Sequence, residues 1–229
     1  MTKKEKGDAY NMKAASGISK EWFEQIAALE TYFTGKTIDE IMAMKLTGDT
    51  PDDLKTTVTI KVSAYQEAVK KAVANAVEVK GLKSVGSASV TGVTSRNAVA
   101  ETAGRVQTNV TFAGVALDKD GKVLYVAIDT AQNSGTFDTL GVIVKAEAVM
   151  TKKEKGDAYN MKAASSISKE WFEQIAALET YFTGKTSAEI MAMKLTDEAP
   201  DDLKTSVTIG ITAYQGAVEK AIANAIEIK

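Results

Sequence analysis

The chain has 229 residues, 45% of them hydrophobic and 25% charged, a composition typical of a globular protein with one large or two modest domains. Its 28 basic and 30 acidic residues give a formal charge of -2, and Arg96 and Arg105 are its only arginines, so the sequence argues against nucleic acid as a partner. Because the sequence contains neither cysteine nor histidine, disulfides, thiolate nucleophiles, imidazole bases and metal sites built from these side chains are excluded.

The sequence also lacks the signals of a membrane protein. No apolar run approaches the roughly 20 residues that a spanning helix requires. The first residues, MTKKEKGDAY, lack the apolar segment of a secretion signal. We therefore expect no membrane span in this chain.

One segment of the sequence occurs twice. Aligning Met1 with Met150 pairs residues 1–80 with 150–229 without a gap, and about four in five aligned positions are identical, which indicates a duplication. Residues 81–149 occur once. We name these segments copy A (1–80), segment B (81–149) and copy A′ (150–229), and we expect B and A′ to form one compact unit.

The first helix predicted in copy A lies in ISKEWFEQIAALETYFTGKT. Ser19 is the expected N-cap residue, and Gly35 is expected just beyond the C-terminal end. One apolar stripe at helical spacing comprises Trp22, Ile26, Leu29 and Phe33. The pair Thr37 and Glu40 predicts a capping box for a second, short helix.

The remainder of copy A is less regular. Pro51 is expected at the first position of another turn or helix. Val58, Ile60 and Val62 alternate like a strand, whereas the spacing from Tyr65 onward is helical. Copy A′ keeps these features, including the capping box.

Segment B has the pattern of a β-sheet. Two β-branched runs are joined by DKDG, with Gly121 at the left-handed position of a hairpin loop. The apolar parity of the first run changes near Gly114, which predicts a bulge there. Flanking runs VGSASVTGVTS and GVIVKAEAV add strands. The predicted fold class is therefore α+β, with an antiparallel sheet of about four strands that is covered by the helical copies.

The stretches KGDAYNMKAASSISKEWFEQIAALETYFTGKT and VALDKDGKVLYVAIDTAQNSGTFDT resemble a family of exported, often lipid-anchored and tandemly repeated proteins of Gram-positive anaerobes. These proteins are usually described as similar to FMN-binding domains. The resemblance covers most of copy A and segment B. It implies an extracellular or cell-surface location and flavin binding.

The flavin hypothesis points to one short stretch. SVTGVTS is similar to the site at which a transferase attaches FMN through its phosphate to a threonine, and the match places the flavin on Thr94. Thr91, Gly92 and Ser95 also fit that motif. Ala88 stands where the motif has Asp, however, and a Thr-rich strand without any cofactor explains the same residues.

Three further groups of residues are weaker candidates for a site. Repeated aromatic residues at helical spacing favour a core over a ligand platform. Asp118 and Asp120 resemble the start of a calcium loop, but the later ligands do not follow, so a hairpin turn is favoured. Asp129, Gln132 and Asn133 form a polar cluster that suits either a binding site or local capping.

Three functional hypotheses follow from the sequence. The first is a non-catalytic surface repeat module for binding, display or assembly, in which the extra helical copy supports self-association. The second is an FMN-carrying electron-transfer domain, and no other cofactor is required. An enzyme that uses Asp and Tyr ranks last, because no nucleophile in the sequence has an identifiable base.

Overall fold

In the computed structural model, residues 1–146 and 149–228 are described. The chain divides into two compact units, Met1–Glu78 and Val79–Lys229. Within the described ranges, no helix is long and apolar enough to cross a membrane. The α+β fold class is confirmed: helices accompany a five-stranded antiparallel sheet and two very small ones.

Unit 1 is built from short helices around a small core. Its elements are α1 (Lys3–Lys6), α2 (Trp22–Phe33), α3 (Ile38–Met42), β1 (Leu46–Thr47), β2 (Thr50–Pro51) and α4 (Ser63–Ala74). The buried apolar residues at its centre are Ile26, Leu29, Met44, Val58 and Val62. Most of the predicted stripe of α2 therefore does face the core.

The caps of these helices explain where they begin and end. Thr37 and Glu40 form the predicted capping box of α3, and Gly35 follows the C-cap of α2 at a φ of 79°. The prediction of Ser19 as N-cap was wrong, because Ser19 has a φ of 52° and the N-cap of α2 is Glu21. The Glu21 carboxylate is buried and accepts hydrogen bonds from the backbone N–H groups of Met12 and Lys13.

Two other details of copy A differ from expectation. Pro51 lies in β2 and precedes a 3₁₀ helix, Asp52–Leu54, instead of occupying the first helical position. The alternating run at 58–62 is not a strand, because Val58 and Val62 point into the core from an irregular segment. Helix α4 then begins at Ser63.

Unit 2 combines segment B with copy A′. Its strands and helices are β3 (Ser84–Arg96), β4 (Gly104–Leu117), β5 (Val123–Phe137), β6 (Ile143–Ala146), α5 (Lys152–Lys155), α6 (Trp171–Phe182), α7 (Ser187–Met191), β7 (Leu195–Thr196), β8 (Ala199–Pro200), α8 (Thr212–Ala223) and β9 (Ile226–Glu227). The main sheet has the order β6-β5-β4-β3-β9, with every neighbouring pair antiparallel. Residues 147–148 of the predicted last strand of segment B lie outside the described residues.

The hairpin of segment B is confirmed, but its irregularity lies elsewhere than predicted. Gly121 has a φ of 75° in the turn between β4 and β5. The pairing shifts between Ala116 and Leu117, not at Gly114. Apolar residues occur on both faces of β4, and this produced the apparent change of parity: Ala113 and Val115 are buried, whereas Phe112 is 45% exposed on the opposite face.

The sheet has a fifth strand that the sequence did not reveal. β9, from the end of copy A′, pairs with the start of β3 through Ser84 with Glu227 and Val85 with Ile226. Since β9 covers only this end, the remaining edge of β3 has no paired strand among the described residues. A two-residue strand is too short to be distinguished by its pattern from the end of a helix.

The inner face of the sheet is covered by copy A′. Helix α8 packs on β3 and β4, and a Cβ added to Gly86 would overlap the carbonyl oxygen of Ala221. Glycine at this position therefore permits close approach of helix and strand. Trp171, Phe182 and Ile128 are among the fully buried side chains of the resulting core.

Candidate functional site

The four residues of the flavin motif lie on β3. Thr91, Gly92, Thr94 and Ser95 are exposed, and they occupy the half of the strand that extends beyond β9. Because side chains alternate along a strand, Thr94 is on the same face as Gly92 and Gly86, whereas Thr91 and Ser95 are on the other. The structure thus places the four residues in sequence on one strand but does not gather them around one point.

A cleft opens beside two of these residues. It has a volume of about 320 Å³ and lies between the inner face of the sheet, α5 and α8. Its lining residues are Val90, Thr91, Gly92, Asn109, Thr111, Thr130, Lys152, Gly210, Ala213 and Tyr214. The cleft is therefore built from both segment B and copy A′.

Hydroxyl groups form a connected set at the wall of this cleft. The side-chain oxygens of Thr111 and Thr130 are 3.0 Å apart, and both threonines are buried. Trp171 donates its indole N–H to the hydroxyl oxygen of Tyr214 at 2.9 Å. Burial raises the pKa of Tyr214, although hydrogen bonds with Trp171 and Thr130 oppose this shift, so the hydroxyl is protonated at neutral pH.

Lys152 is the charged residue of the lining. Its Nζ atom is 4.8 Å from the ring centre of Tyr159 and 5.2 Å from that of Trp171. No ion pair joins it to an acidic side chain of the described residues. Burial lowers the pKa of this ammonium group to about 8, with a further lowering by Lys155 and an opposing effect of Asp129.

The two copies differ at two positions in or beside the cleft. Gly210 of the lining corresponds to Lys61 in copy A, whose ammonium group lies 3.5 Å from Asp49. Gly216 corresponds to Glu67, and a Cβ added to Gly216 would lie 3.9 Å from the lining residue Val90. A Cβ added to Gly210 would instead meet the side chain of Glu198 at 3.1 Å.

The weaker sequence candidates have structural roles. Asp118 accepts hydrogen bonds from the backbone of Asp120 and Lys122 and so closes the hairpin turn. Asp129 accepts a hydrogen bond from the backbone N–H of Lys153 in α5. Gln132 accepts a hydrogen bond from the hydroxyl of Tyr159. Both bonds attach the start of copy A′ to β5. Asn133 contributes a buried Oδ1 atom with no hydrogen-bond partner among the described residues.

The repeated aromatic residues do not form a ligand platform in unit 2. Trp171 is 1% exposed and Phe182 is fully buried, so both belong to the core. A second, shallower depression lies beside Phe172; of its three charged residues, Lys153 and Glu179 pair with each other at 2.7 Å, and Asp157 is the third. Within the described ranges, no group of three acidic side chains is placed to hold a metal ion.

Sequence reasoning did not single out the residues that define the cleft. Lys152 lies in TKKEK, which reads as a solvated charge run, and Tyr214 reads as part of a helical apolar stripe. The threonines of β4 and β5 look like ordinary strand residues. Copy A′ has Gly210 and Gly216 where copy A has Lys61 and Glu67, and these two differences fall in and beside the cleft without indicating a binding site.

Two apolar surfaces are also exposed, one on each unit. The first, which we name the α4 face, consists of Ala68, Val69, Ala72 and Val73, with Val73 53% exposed. The second, the outer sheet face, lies opposite the helices. It contains apolar residues that are each at least 38% exposed: Val85, Val93, Val106, Phe112 and Tyr125.

Comparison with known proteins gives little further information. No protein-family model matches the chain, and no solved structure matches it. A stretch of 40 residues, 18% of this chain, is 60% identical to a protein named chlorophenol reductase from Desulfitobacterium hafniense. The stretch covers 12% of that protein, so this chain spans only a small part of the relative that it matches.

Proposed function

We propose that this chain is a non-catalytic assembly module of the extracellular or cell-surface space. In this proposal the α4 face of one molecule packs against the outer sheet face of the next. The supporting observation is the different burial of one helix in its two copies. In α8 the residues Ala217, Val218 and Ala221 are fully buried, whereas in α4 the corresponding Ala68 and Ala72 are exposed and Val69 is only partly buried.

The duplication indicates what kind of surface suits the α4 face. In unit 2 the same helical face packs on a twisted antiparallel sheet that offers glycine and alanine at the closest approach, Gly86 and Ala88. The outer sheet face offers a similar surface. Gly114 lies between Phe112 and Ala116 on one strand, and a Cβ added to it would meet no atom within 4 Å.

The proposed contact is head-to-tail. Every chain carries one α4 face and one outer sheet face, and the two surfaces are different. An interface between different surfaces is heterologous, and it extends into a filament unless the rotation between molecules closes a ring. Burial of apolar area supplies about 25 cal/mol for each Å² removed from water. The location at the cell surface rests on the family resemblance of the repeated segments.

The test measures the molar mass of the full chain as a function of concentration by sedimentation. We expect the mean mass to rise with concentration. A charge in either surface, Val73→Glu or Phe112→Glu, should leave a monomer, because both residues are about half exposed and tolerate the substitution in the folded unit. Leu140→Glu is the matched control, since Leu140 is 87% exposed in a turn outside both surfaces.

Mixing the two variants makes the test specific. Val73→Glu retains a functional outer sheet face, and Phe112→Glu retains a functional α4 face. An equimolar mixture should therefore form a dimer and nothing larger. A wild-type chain that stays monomeric up to millimolar concentration contradicts the proposal. So does a loss of association in Val73→Glu that Phe112→Glu does not share, which would indicate exchange of copy A for copy A′ on the inner face.

A second proposal is that unit 2 carries flavin. It is favoured by the position of the motif: Thr91 and Gly92 border the cleft, and Thr94 is exposed on the adjoining part of β3, where a transferase can reach it. The fit is partial, since Ala88, at the acidic position of the motif, packs against the core. A flavin brings redox chemistry that these side chains lack.

The visible absorption spectrum tests this second proposal. The protein would be produced with flavin and a flavin transferase present, and measured before and after denaturation and desalting. A flavin band that survives denaturation and disappears in Thr94→Ala supports attachment at Thr94, with Thr91→Ala as the neighbouring control. A spectrum without a flavin band contradicts the proposal.

A further inference from the structure

We propose that the cleft of unit 2 is a binding site for a small acidic molecule, whose carboxylate or phosphate group contacts Lys152. This site is independent of the assembly surfaces, because it lies on the inner face of the sheet and includes none of their residues.

The cleft carries a positive charge without a matching negative one among its lining residues. The ten lining residues include one cation, Lys152, and no acidic residue. Among the described residues this half-buried ammonium group has no ion-pair partner, and its contacts with two aromatic rings compensate only in part for the hydration that it has lost. Asp129 on β5 favours the charged form of Lys152, and Lys155 on the same helix disfavours it. An anion from solution would supply the missing counter-charge.

Neutral hydrogen-bonding groups surround this cation. Tyr214 accepts the indole N–H of Trp171 and shares a hydrogen bond with Thr130, which is paired with Thr111, so these three hydroxyls use two of their protons and keep one to donate. The amide of Asn109 and the paired hydroxyls of Thr111 and Thr130 line the same space. One hydroxyl proton and the Asn109 amide next to a cation form an environment suited to the oxygens of a carboxylate or a phosphate.

The cleft is small, and it depends on the sheet of segment B. A volume of about 320 Å³ is at the small end of ligand-binding clefts, which indicates a compact ligand. Apolar contacts from Val90, Ala213 and the ring of Tyr214 complete the lining. In copy A the residue corresponding to Lys152 is Lys3, an exposed side chain in a unit without a main sheet. The duplicated sequence therefore yields the site only where segment B covers it.

The experiment titrates the full chain with three probes in turn: inorganic phosphate, acetate and chloride. The readout is the protection of Lys152 from acetylation, measured by mass spectrometry of tryptic peptides. The peptide AEAVMTKK reports Lys152 and MTKK reports Lys3, so the two copies are distinguished in one sample. We expect phosphate or acetate to slow the acetylation of Lys152 at least fivefold at saturation and to leave Lys3 within twofold of its rate.

Substitutions then locate the anion by isothermal calorimetry. Lys152→Gln should weaken binding at least tenfold, while the matched Lys3→Gln should change it less than twofold. Ala213→Glu introduces a negative charge at an exposed position of the cleft rim and should weaken binding by a similar factor, with Ala64→Glu in copy A as its control. This second variant keeps the fold intact, since it alters no buried residue.

The outcomes separate the ligand classes. Binding of both phosphate and acetate supports a site for acidic molecules in general, and binding of phosphate alone supports a phosphorylated ligand. Equal effects of all three probes, chloride included, would mean ionic screening without a site. That result overturns the proposal, as would an unchanged Lys152 rate in every titration or equal losses in the variants of copy A and copy A′.

Discussion

Units 1 and 2 contain nearly the same 80-residue sequence in two different surroundings. Both copies form the same helices in the same order, with the same capping boxes at Thr37 and Thr186. They differ in what lies against them: Phe33 is partly exposed, whereas Phe182 is fully buried. Local sequence therefore determines the helices, while the sheet of segment B determines which of their faces are core.

The largest expected difference between the units follows from that burial. Phe182→Ala should lower the free energy of unfolding of unit 2 by about 4 kcal/mol, because it leaves a cavity in a fully packed core. Phe33→Ala should cost unit 1 about half as much, because its site is partly open to solvent. Each unit has one tryptophan, Trp22 or Trp171, so urea unfolding followed by fluorescence in Trp→Phe backgrounds reports each unit separately. Equal losses would contradict the comparison.

The contact between α8 and the sheet is the next most sensitive point. Gly86→Ala should destabilise unit 2 by about 3 kcal/mol, since the added methyl group meets the backbone of Ala221 and Ala225, which cannot rotate away. Gly92→Ala on the same strand meets no atom within 4 Å and should change stability by less than about 0.5 kcal/mol. Calorimetry of the two variants measures this, and unit 1 should unfold unchanged in both.

A buried glutamine should give equal effects in the two units. The amide oxygen of Gln25 accepts a hydrogen bond from the backbone N–H of Thr59 at 2.8 Å, and Gln174 does the same with Thr208. Replacing either glutamine by leucine removes the acceptor of a partly exposed backbone N–H, so each unit should lose about 1 kcal/mol. Urea unfolding of both variants would sharpen the comparison. A much larger loss in unit 2 would mean that the sheet influences even the helical interior.

The pH dependence of stability should differ between the units because of Lys152. Its pKa is about 8 in the folded chain against 10.5 for an ordinary lysine, so the unfolded state binds more protons between these values. The stability of unit 2 should therefore rise with pH through that range, by roughly 1–2 kcal/mol after allowance for partial exposure. Measured relative to Lys152→Met, the contribution of the tyrosines cancels. A difference between the two proteins that stays constant from pH 7 to 10.5 would contradict this assignment.

The elements that sequence predicted correctly are those fixed by neighbours along the chain. The capping box at Thr37, the glycine after α2 and the hairpin turn at Gly121 depend on a few consecutive residues. The failures involve residues farther apart in the sequence. Besides forming a capping box with Glu24, the N-cap residue Glu21 accepts hydrogen bonds from the backbone of Met12 and Lys13, and β9 exists because the far end of the chain meets β3.

The cleft could not be predicted for the same reason. Its walls come from three strands and two helices that meet only after folding, and Lys152 has the local sequence of a surface residue. The flavin motif, in contrast, was visible in sequence, but the structure shows that its residues alternate between the two faces of β3. Spacing along a chain is informative only when the secondary structure under it is known.

The pairing of β9 with β3 has a consequence for how such a gene can grow. The first and last strands of unit 2 are hydrogen-bonded neighbours at one edge of the sheet, through Ser84 with Glu227 and Val85 with Ile226. The chain therefore enters and leaves unit 2 at neighbouring positions on one edge of the sheet. A unit with adjacent ends can be inserted, deleted or multiplied in the coding sequence as a cassette. Another copy joined at this edge does not disturb the packed interior.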